Sequence, residues 1–238
     1  MSIEEKLTMI AENEPKVYDA GYKAGADALH KAFCDIFQNG GKRTNYSRAF
    51  YGEGWTDKTF KPTYNMQPVN AYYMFACSCI NANLAKLLRT LGVTLDLSKA
   101  SNIETCFAET DFQRVGIIDT TSAETLTKLF LNSKRLIEIN KLILKEDGSQ
   151  TFTRAFKGLT ALTTINVSGA IGGSTFDISD ATKLSKASIV SIINAVSTTQ
   201  NVKITLPWWA VIQAFGSTSN AEWLALINTR PKCTVSLA

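Results

Sequence analysis

Histidine is almost absent from this chain, and with it the patterns by which most catalytic sites can be read. The one histidine, His30, stands beside Leu29 in a helical stretch, where surface or packing is its ordinary role. Acid–base and nucleophilic catalysis need histidine, paired carboxylates or an activated thiol. The closest carboxylates, Glu109 and Asp111 around Thr110, read as a solvated loop. Long apolar runs are missing too. Nothing approaches the roughly 18 consecutive apolar residues of a spanning helix, so membrane insertion is not expected. The opening Met1-Ser2-Ile3-Glu4-Glu5-Lys6 lacks the apolar stretch of a secretory signal, so maturation in the cytoplasm is the expectation.

Cysteine is present but unorganised. Cys34, Cys77, Cys79, Cys106 and Cys233 are odd in number and scattered over 238 residues, which argues for free, mostly buried thiols over a disulfide framework. Cys77 and Cys79 form only a C-x-C pair, without further ligands at zinc spacing, so no metal or cofactor is expected. Gly172-Gly173-Ser174-Thr175 matches neither a P-loop nor a dinucleotide fingerprint and reads as a loop bend. Charged residues make up 19% of the chain with a net charge of +4 and no dense basic stripe, so nucleic acid is not an expected partner.

What the sequence does contain is apolar periodicity, with 45% hydrophobic residues. Residues 1–37 read as a helical attachment or oligomerisation segment in two pieces separated by Pro15, with Gly21 and Gly25 four apart on one face. An amphipathic segment this thin cannot own a core and must pack on something else, for which self-association is the preferred reading. Residues 38–70 read as an aromatic, loop-rich junction or cap, punctuated by Gly52, Gly54, Pro62 and Pro68 among Phe50, Tyr51, Trp55, Phe60 and Tyr64.

From residue 71 to 238 the sequence echoes itself. Cys106-Phe107 leads to Val115-Gly116-Ile117-Ile118-Asp119, Leu129-Phe130 to Leu136-Ile137-Glu138-Ile139-Asn140, and Ala155-Phe156 to Leu162-Thr163-Thr164-Ile165-Asn166. These align on a shared apolar-x-x-Ile-Asp/Asn ending, with two extra loop residues assigned to the first copy. Thr94 to Ile103 echoes Thr175 to Leu184, and Ser47-Arg48-Ala49-Phe50 echoes Thr153-Arg154-Ala155-Phe156. Phenylalanines 50, 75, 107, 130 and 156 follow one another at steps of 25, 32, 23 and 26, which predicts stacked units sharing one core. Each unit supplies a short alternating strand on one side, with phenylalanine on an opposite, helical or turn-like wall. The helices read at Leu184 to Val196, after Pro207 and at Ala221 to Ile227, with a final strand at Thr234 to Leu237, form the capping end. The fold class predicted is therefore α/β, an irregular leucine-rich-repeat-like solenoid.

Two candidate binding features follow. The first is a polar column on the outward strand face: Asp96, Asp119, Asn140, Asn166, Asp177, Thr205 and Ser236. The eleven-residue step from Asn166 to Asp177 is too short for a full coil, so a break is anticipated there. The second is the pair Trp208 and Trp209, of which core packing is expected to take one and leave the other exposed.

The run A-F-x-x-L-x-x-L-x-x-I-x-V from Ala155 to Val167 resembles the BspA-type leucine-rich repeat. The opening, with Ile3-Glu4-Glu5-Lys6-Leu7 and Glu14 to Gly21, resembles the start of phage and prophage tail-region proteins that carry such repeats. The resemblance implies a non-enzymatic virion structural protein of the tail or baseplate, assembled in the bacterial cytoplasm. Its implied partners are other virion proteins or its own copies through residues 1–37, and a glycan or protein on the host cell surface. It carries over no catalytic residue. The alternative is an intracellular bacterial scaffold that binds a protein partner.

Overall fold

The computed structural model describes residues 44–52, 54–62, 65–173 and 175–238. The attachment segment read at 1–37, with His30 and Cys34, lies outside the described residues.

The organising unit is a turn centred on phenylalanine. Around Phe50, Phe75, Phe107, Phe130 and Phe156, the residues two before and two after adopt positive φ: Arg48 and Gly52, Tyr73 and Cys77, Thr105 and Glu109, Lys128 and Asn132, Arg154 and Gly158. L-residues pay roughly 1–2 kcal/mol for this conformation, and what offsets it is visible in the hydrogen bonds. Arg48, Phe50 and Gly52 donate their backbone N–H groups to the carbonyls of Tyr72, Met74 and Ala76 in the next coil. Lys128, Phe130 and Asn132 do the same to Thr153, Ala155 and Lys157. The residues between them close locally, Ala49 onto Tyr46 and Tyr51 onto Arg48. Alternate N–H groups thus point sideways and backwards, and the turn leaves few buried donors unpaired.

The same geometry puts every phenylalanine inside. The rings stack from coil to coil at centroid distances of 5.2 Å for Phe50 and Phe75, 5.5 Å for Phe75 and Phe107, 5.4 Å for Phe107 and Phe130, and 6.2 Å for Phe130 and Phe156. Phe176 extends the series 4.8 Å beyond Phe156. The aromatic stretch set apart at 38–70 is itself part of this stack where it is described. Phe50 packs edge-on to Trp55 and Phe60, and Asn45 bridges to Asn70 in parallel.

Opposite the turns run short parallel strands. β1 (Arg114–Asp119), β2 (Glu138–Ile143) and β3 (Thr164–Ser168) form one sheet in that order, and β4 (Thr175–Asp177), β5 (Val202–Leu206) and β6 (Cys233–Leu237) form a second. The described chain is a parallel β-solenoid of about four turns with a few helices. Among the described residues no helix is long and apolar enough to cross a membrane.

The register corrects the repeat alignment. Val115 pairs with Ile139 and Ile139 with Ile165, whereas Ile118 pairs with Leu142. The first unit therefore has one residue fewer between phenylalanine and strand, not two more. Phe112, fully buried, fills the place that Leu136 and Leu162 take in the following coils. Aligning on the Ile-Asp/Asn ending shifted the first copy by three, because β1 carries two buried aliphatics, Val115 and Ile118, three residues apart.

Helices bound the first sheet. α1 (Leu84–Leu91), capped by the Asn83 side chain on Lys86 N–H, precedes β1, and Gly116 lets it approach. A Cβ on Gly116 would stand 3.0 Å from Ala85 Cβ. On the far side α2 (Lys186–Asn194) takes the place of a further strand. Ile165 N–H donates to Ser188 Oγ at 2.9 Å and Val167 N–H to Ser191 Oγ at 2.8 Å, so two hydroxyls three residues apart satisfy the edge of β3. α3 (Trp208–Phe215) and α4 (Ala221–Asn228) complete the end, where the Arg230 guanidinium donates to the last carbonyls of α2, Ile193 and Asn194.

Two measurements test these assignments. Phe156→Ala removes a fully buried ring with neighbours on both sides, and chemical denaturation should show a loss of about 3–5 kcal/mol. A variant as stable as the parent would contradict the shared core. Ser188→Ala leaves the buried Ile165 N–H without its acceptor, for an expected cost of about 1–3 kcal/mol. Hydrogen exchange at Ile165 should accelerate, while exchange at Val115 in β1 stays unchanged.

Candidate functional site

The polar residues singled out on the strands fall into three groups, not one column. Asp96 and Asp119 stand where a strand or bridge ends and the chain turns a corner. Asp96 Oδ1 accepts the Ser98 N–H at 3.0 Å, and its other oxygen accepts from the Gln67 side-chain amide at 3.3 Å. Asp119 Oδ1 accepts both the backbone N–H and the hydroxyl of Thr121. Asp147 does the same with Ser149, and Asp177 Oδ1 accepts the Ser179 N–H. These are side-chain turns of the pattern Asp-x-Ser/Thr, in which the carboxylate mimics a backbone acceptor. The recurrence was readable in Asp96-Leu97-Ser98, Asp119-Thr120-Thr121, Asp147-Gly148-Ser149 and Asp177-Ile178-Ser179.

Asn140 and Asn166 form the second group. Both are exposed, and Asn166 Nδ2 donates to the Asn140 carbonyl at 2.8 Å, where the pairing of β2 and β3 shifts register between Ile139 and Leu142. Asp119 is in register with Ile143, so it does not stand beside Asn140. The third group lies on the other sheet, where Asp177, Thr205 and Ser236 are in register across β4, β5 and β6. The break anticipated after Asn166 is therefore a change of sheet.

Trp208 and Trp209 are 48% and 52% exposed, with ring centroids 5.9 Å apart. The expectation that one would enter the core is incorrect. They occupy the first turn of α3, and the residues that the helix buries come later, at Ala210, Val211 and Phe215.

The remaining motifs find structural roles. A Cβ on Gly172 would lie 2.4 Å from Gln200 Oε1 and 2.8 Å from the Gly148 carbonyl, so this glycine is required by the packing of neighbouring corners. Gln200 in turn donates to the Asp147 carbonyl at 2.7 Å. Glu109 and Asp111 line an open groove of about 450 Å³ with Asn132, Lys134 and Arg135, and Arg135 stands 3.6 Å from Asp111. Cys106 is fully buried, and desolvation raises its thiol pKa strongly. Cys77 is half-buried and Cys79 exposed. Among the described residues, no group of three or more histidine, cysteine or carboxylate side chains could hold a metal ion.

Sequence reasoning missed the buried Gln150. Its amide donates to the Thr120 and Ala123 carbonyls at 2.7 and 2.9 Å, and its oxygen accepts the Lys145 N–H at 2.9 Å. One side chain thereby ties together three backbone segments. A lone glutamine between Ser149 and Thr151 carries no pattern that announces this.

No protein-family model matches the chain, and neither the curated proteins nor the solved structures show a match.

Hydrogen bonds from the Ser98 hydroxyl and backbone hold the Asp96 carboxyl below its ordinary value, with burial opposing them and Gln67 adding to them. A lowered folded-state pKa means stability that is present above the unfolded value, about 3.9, and lost as the pH falls through the folded one. Asp96→Asn should therefore be less stable than the parent at neutral pH, with the difference shrinking in acid below that range. Denaturation curves at several pH values that run parallel from neutral into acid would refute this.

Proposed function

We propose that this protein is a non-enzymatic structural component of a phage or prophage virion, placed in the tail or baseplate region and able to bind the host surface. In this reading its coils are an irregular form of the BspA-type leucine-rich repeat in an α/β solenoid. Residues 1–37 attach it to other virion proteins or to its own copies, and it is assembled in the bacterial cytoplasm. The observation that carries the reading is the repeated coil itself. Ala155, Phe156, Leu159, Leu162 and Ile165 of the run that resembles the BspA repeat are fully buried, its last apolar position, Val167, is half-buried, and Phe156 continues the ring series of the preceding coils. Stacked units of this kind build long, regular walls suited to recognition. The opening that resembles phage tail-region proteins supports the placement.

The mass of the full chain in solution, compared with that of a chain lacking residues 1–37, tests the attachment role. A defined oligomer that is lost on deletion is expected, and a monomer in both forms contradicts it. Detection of the protein in purified particles tests the virion placement. Its absence from particles, with a bacterial protein captured inside the cell, favours the intracellular scaffold instead.

A further inference from the structure

The wall of turns carries a pattern that composition hides. In two successive coils the residues leading into phenylalanine repeat as Thr-x-Thr-cation-x-Phe: Thr125-Leu126-Thr127-Lys128-Leu129-Phe130 and Thr151-Phe152-Thr153-Arg154-Ala155-Phe156. Lys128 and Arg154 occupy equivalent positions with the same φ of 55°, and Lys128 N–H donates to the Thr153 carbonyl at 2.9 Å. The coils are thus adjacent, at a strand spacing of about 4.8 Å, and the two cations are neighbours. Lys157 adds a third on the second coil, one residue beyond Phe156 and opposite Asn132, whose N–H it accepts at 2.8 Å. Arg154 and Lys157 are exposed and Lys128 half-buried. None of the three lies in an ion pair among the described residues.

Like charges placed side by side repel, and here no described carboxylate comes within ion-pair distance of them. Asp180, close by, accepts the Gly158 N–H at 2.8 Å, and Glu104 stands one coil away on the far side of Thr127. Hydroxyls border the cations. Thr151 and Thr153 are exposed, Thr127 is half-buried, and Thr151 Oγ1 donates to Thr125 Oγ1 at 3.0 Å. Uncompensated cations beside a row of hydroxyls complement a chain that is itself both anionic and hydroxylated. We infer that this strip, centred on Lys128, Arg154 and Lys157, binds an anionic polysaccharide, with the cations on its carboxylate or phosphate groups and the threonines on its sugar hydroxyls. Phe152, the aromatic residue between Thr151 and Thr153, is buried, and the half-buried Tyr72 and Tyr73 of the same wall stand two coils from Lys128, so no exposed ring that could stack nucleic-acid bases lies among the cations. The inference deepens the surface-binding part of the proposed function and rests on it, but not on the virion placement.

The test uses the full chain in a binding titration with polygalacturonate, with poly(glycerol phosphate), with neutral dextran and with a single-stranded oligonucleotide. Binding to one or both anionic polysaccharides, weakened by added salt, is expected, and which one binds distinguishes carboxylate from phosphate recognition. The combined variant Lys128→Gln, Arg154→Gln, Lys157→Gln should lose about tenfold in affinity at an unchanged melting temperature, whereas Arg154→Lys should keep it. No binding to either anionic polymer, equal binding to dextran, tighter binding to the oligonucleotide, or a triple variant as tight as the parent would each overturn the inference. None of these outcomes bears on whether the protein is found in particles.

Discussion

Everything in this fold depends on how the phenylalanine turn divides its backbone hydrogen bonds. Five successive phenylalanines have positive φ two residues before and two after the ring, and at the first four of them this alternation sends every second N–H to the next coil while the rest close on their own. The strained residues are therefore the ones that join the stack together. A coil taken alone would keep the strain and lose the bonds, so strain and stacking are two sides of one arrangement. The ring series follows from it, because identical backbone geometry on each coil aims each phenylalanine at its neighbour.

The stack is less uniform on the strand side, and the differences are informative. Where coils are of similar length, parallel strands form; where the chain between them is longer, helices appear. α1 and α2 flank the first sheet, and the Ser188 and Ser191 hydroxyls stand in for strand carbonyls and N–H groups at its edge. The second sheet is a separate continuation, with Asp177, Thr205 and Ser236 in one row. A surface assembled from such pieces cannot present one unbroken column of side chains, which is why the polar residues fall into corner posts, an asparagine pair and a row on the other sheet.

Much of the architecture was legible because it is periodic. The phenylalanine spacing marks the stack, and the echo of Ser47-Arg48-Ala49-Phe50 in Thr153-Arg154-Ala155-Phe156 reflects matching conformations down to the positive φ of Arg48 and Arg154. The helices at 184–196 and 221–227 are close to their observed spans, since amphipathic spacing and Ser or Asn caps act locally. What escaped is what depends on distant partners. Register across β1 and β2 turns on which of several aliphatics faces inward, and Val115 and Ile118 are equally apolar. The burial of Gln150 and the exposure of both Trp208 and Trp209 are set by neighbours far away in the sequence. For the aspartates the signal was present, since the Ser or Thr two residues later marks a turn, but an outward polar residue on a strand reads the same way.

The equivalence of the turn junctions reaches beyond the present length of the chain. Because Arg48, Phe50 and Gly52 meet the next coil as Lys128, Phe130 and Asn132 meet theirs, an added or deleted unit would find a matching seam on both sides. Such a molecule can vary its reach by duplication or loss of whole coils while its ends stay unaltered, as a ruler is lengthened by further marks at the same interval.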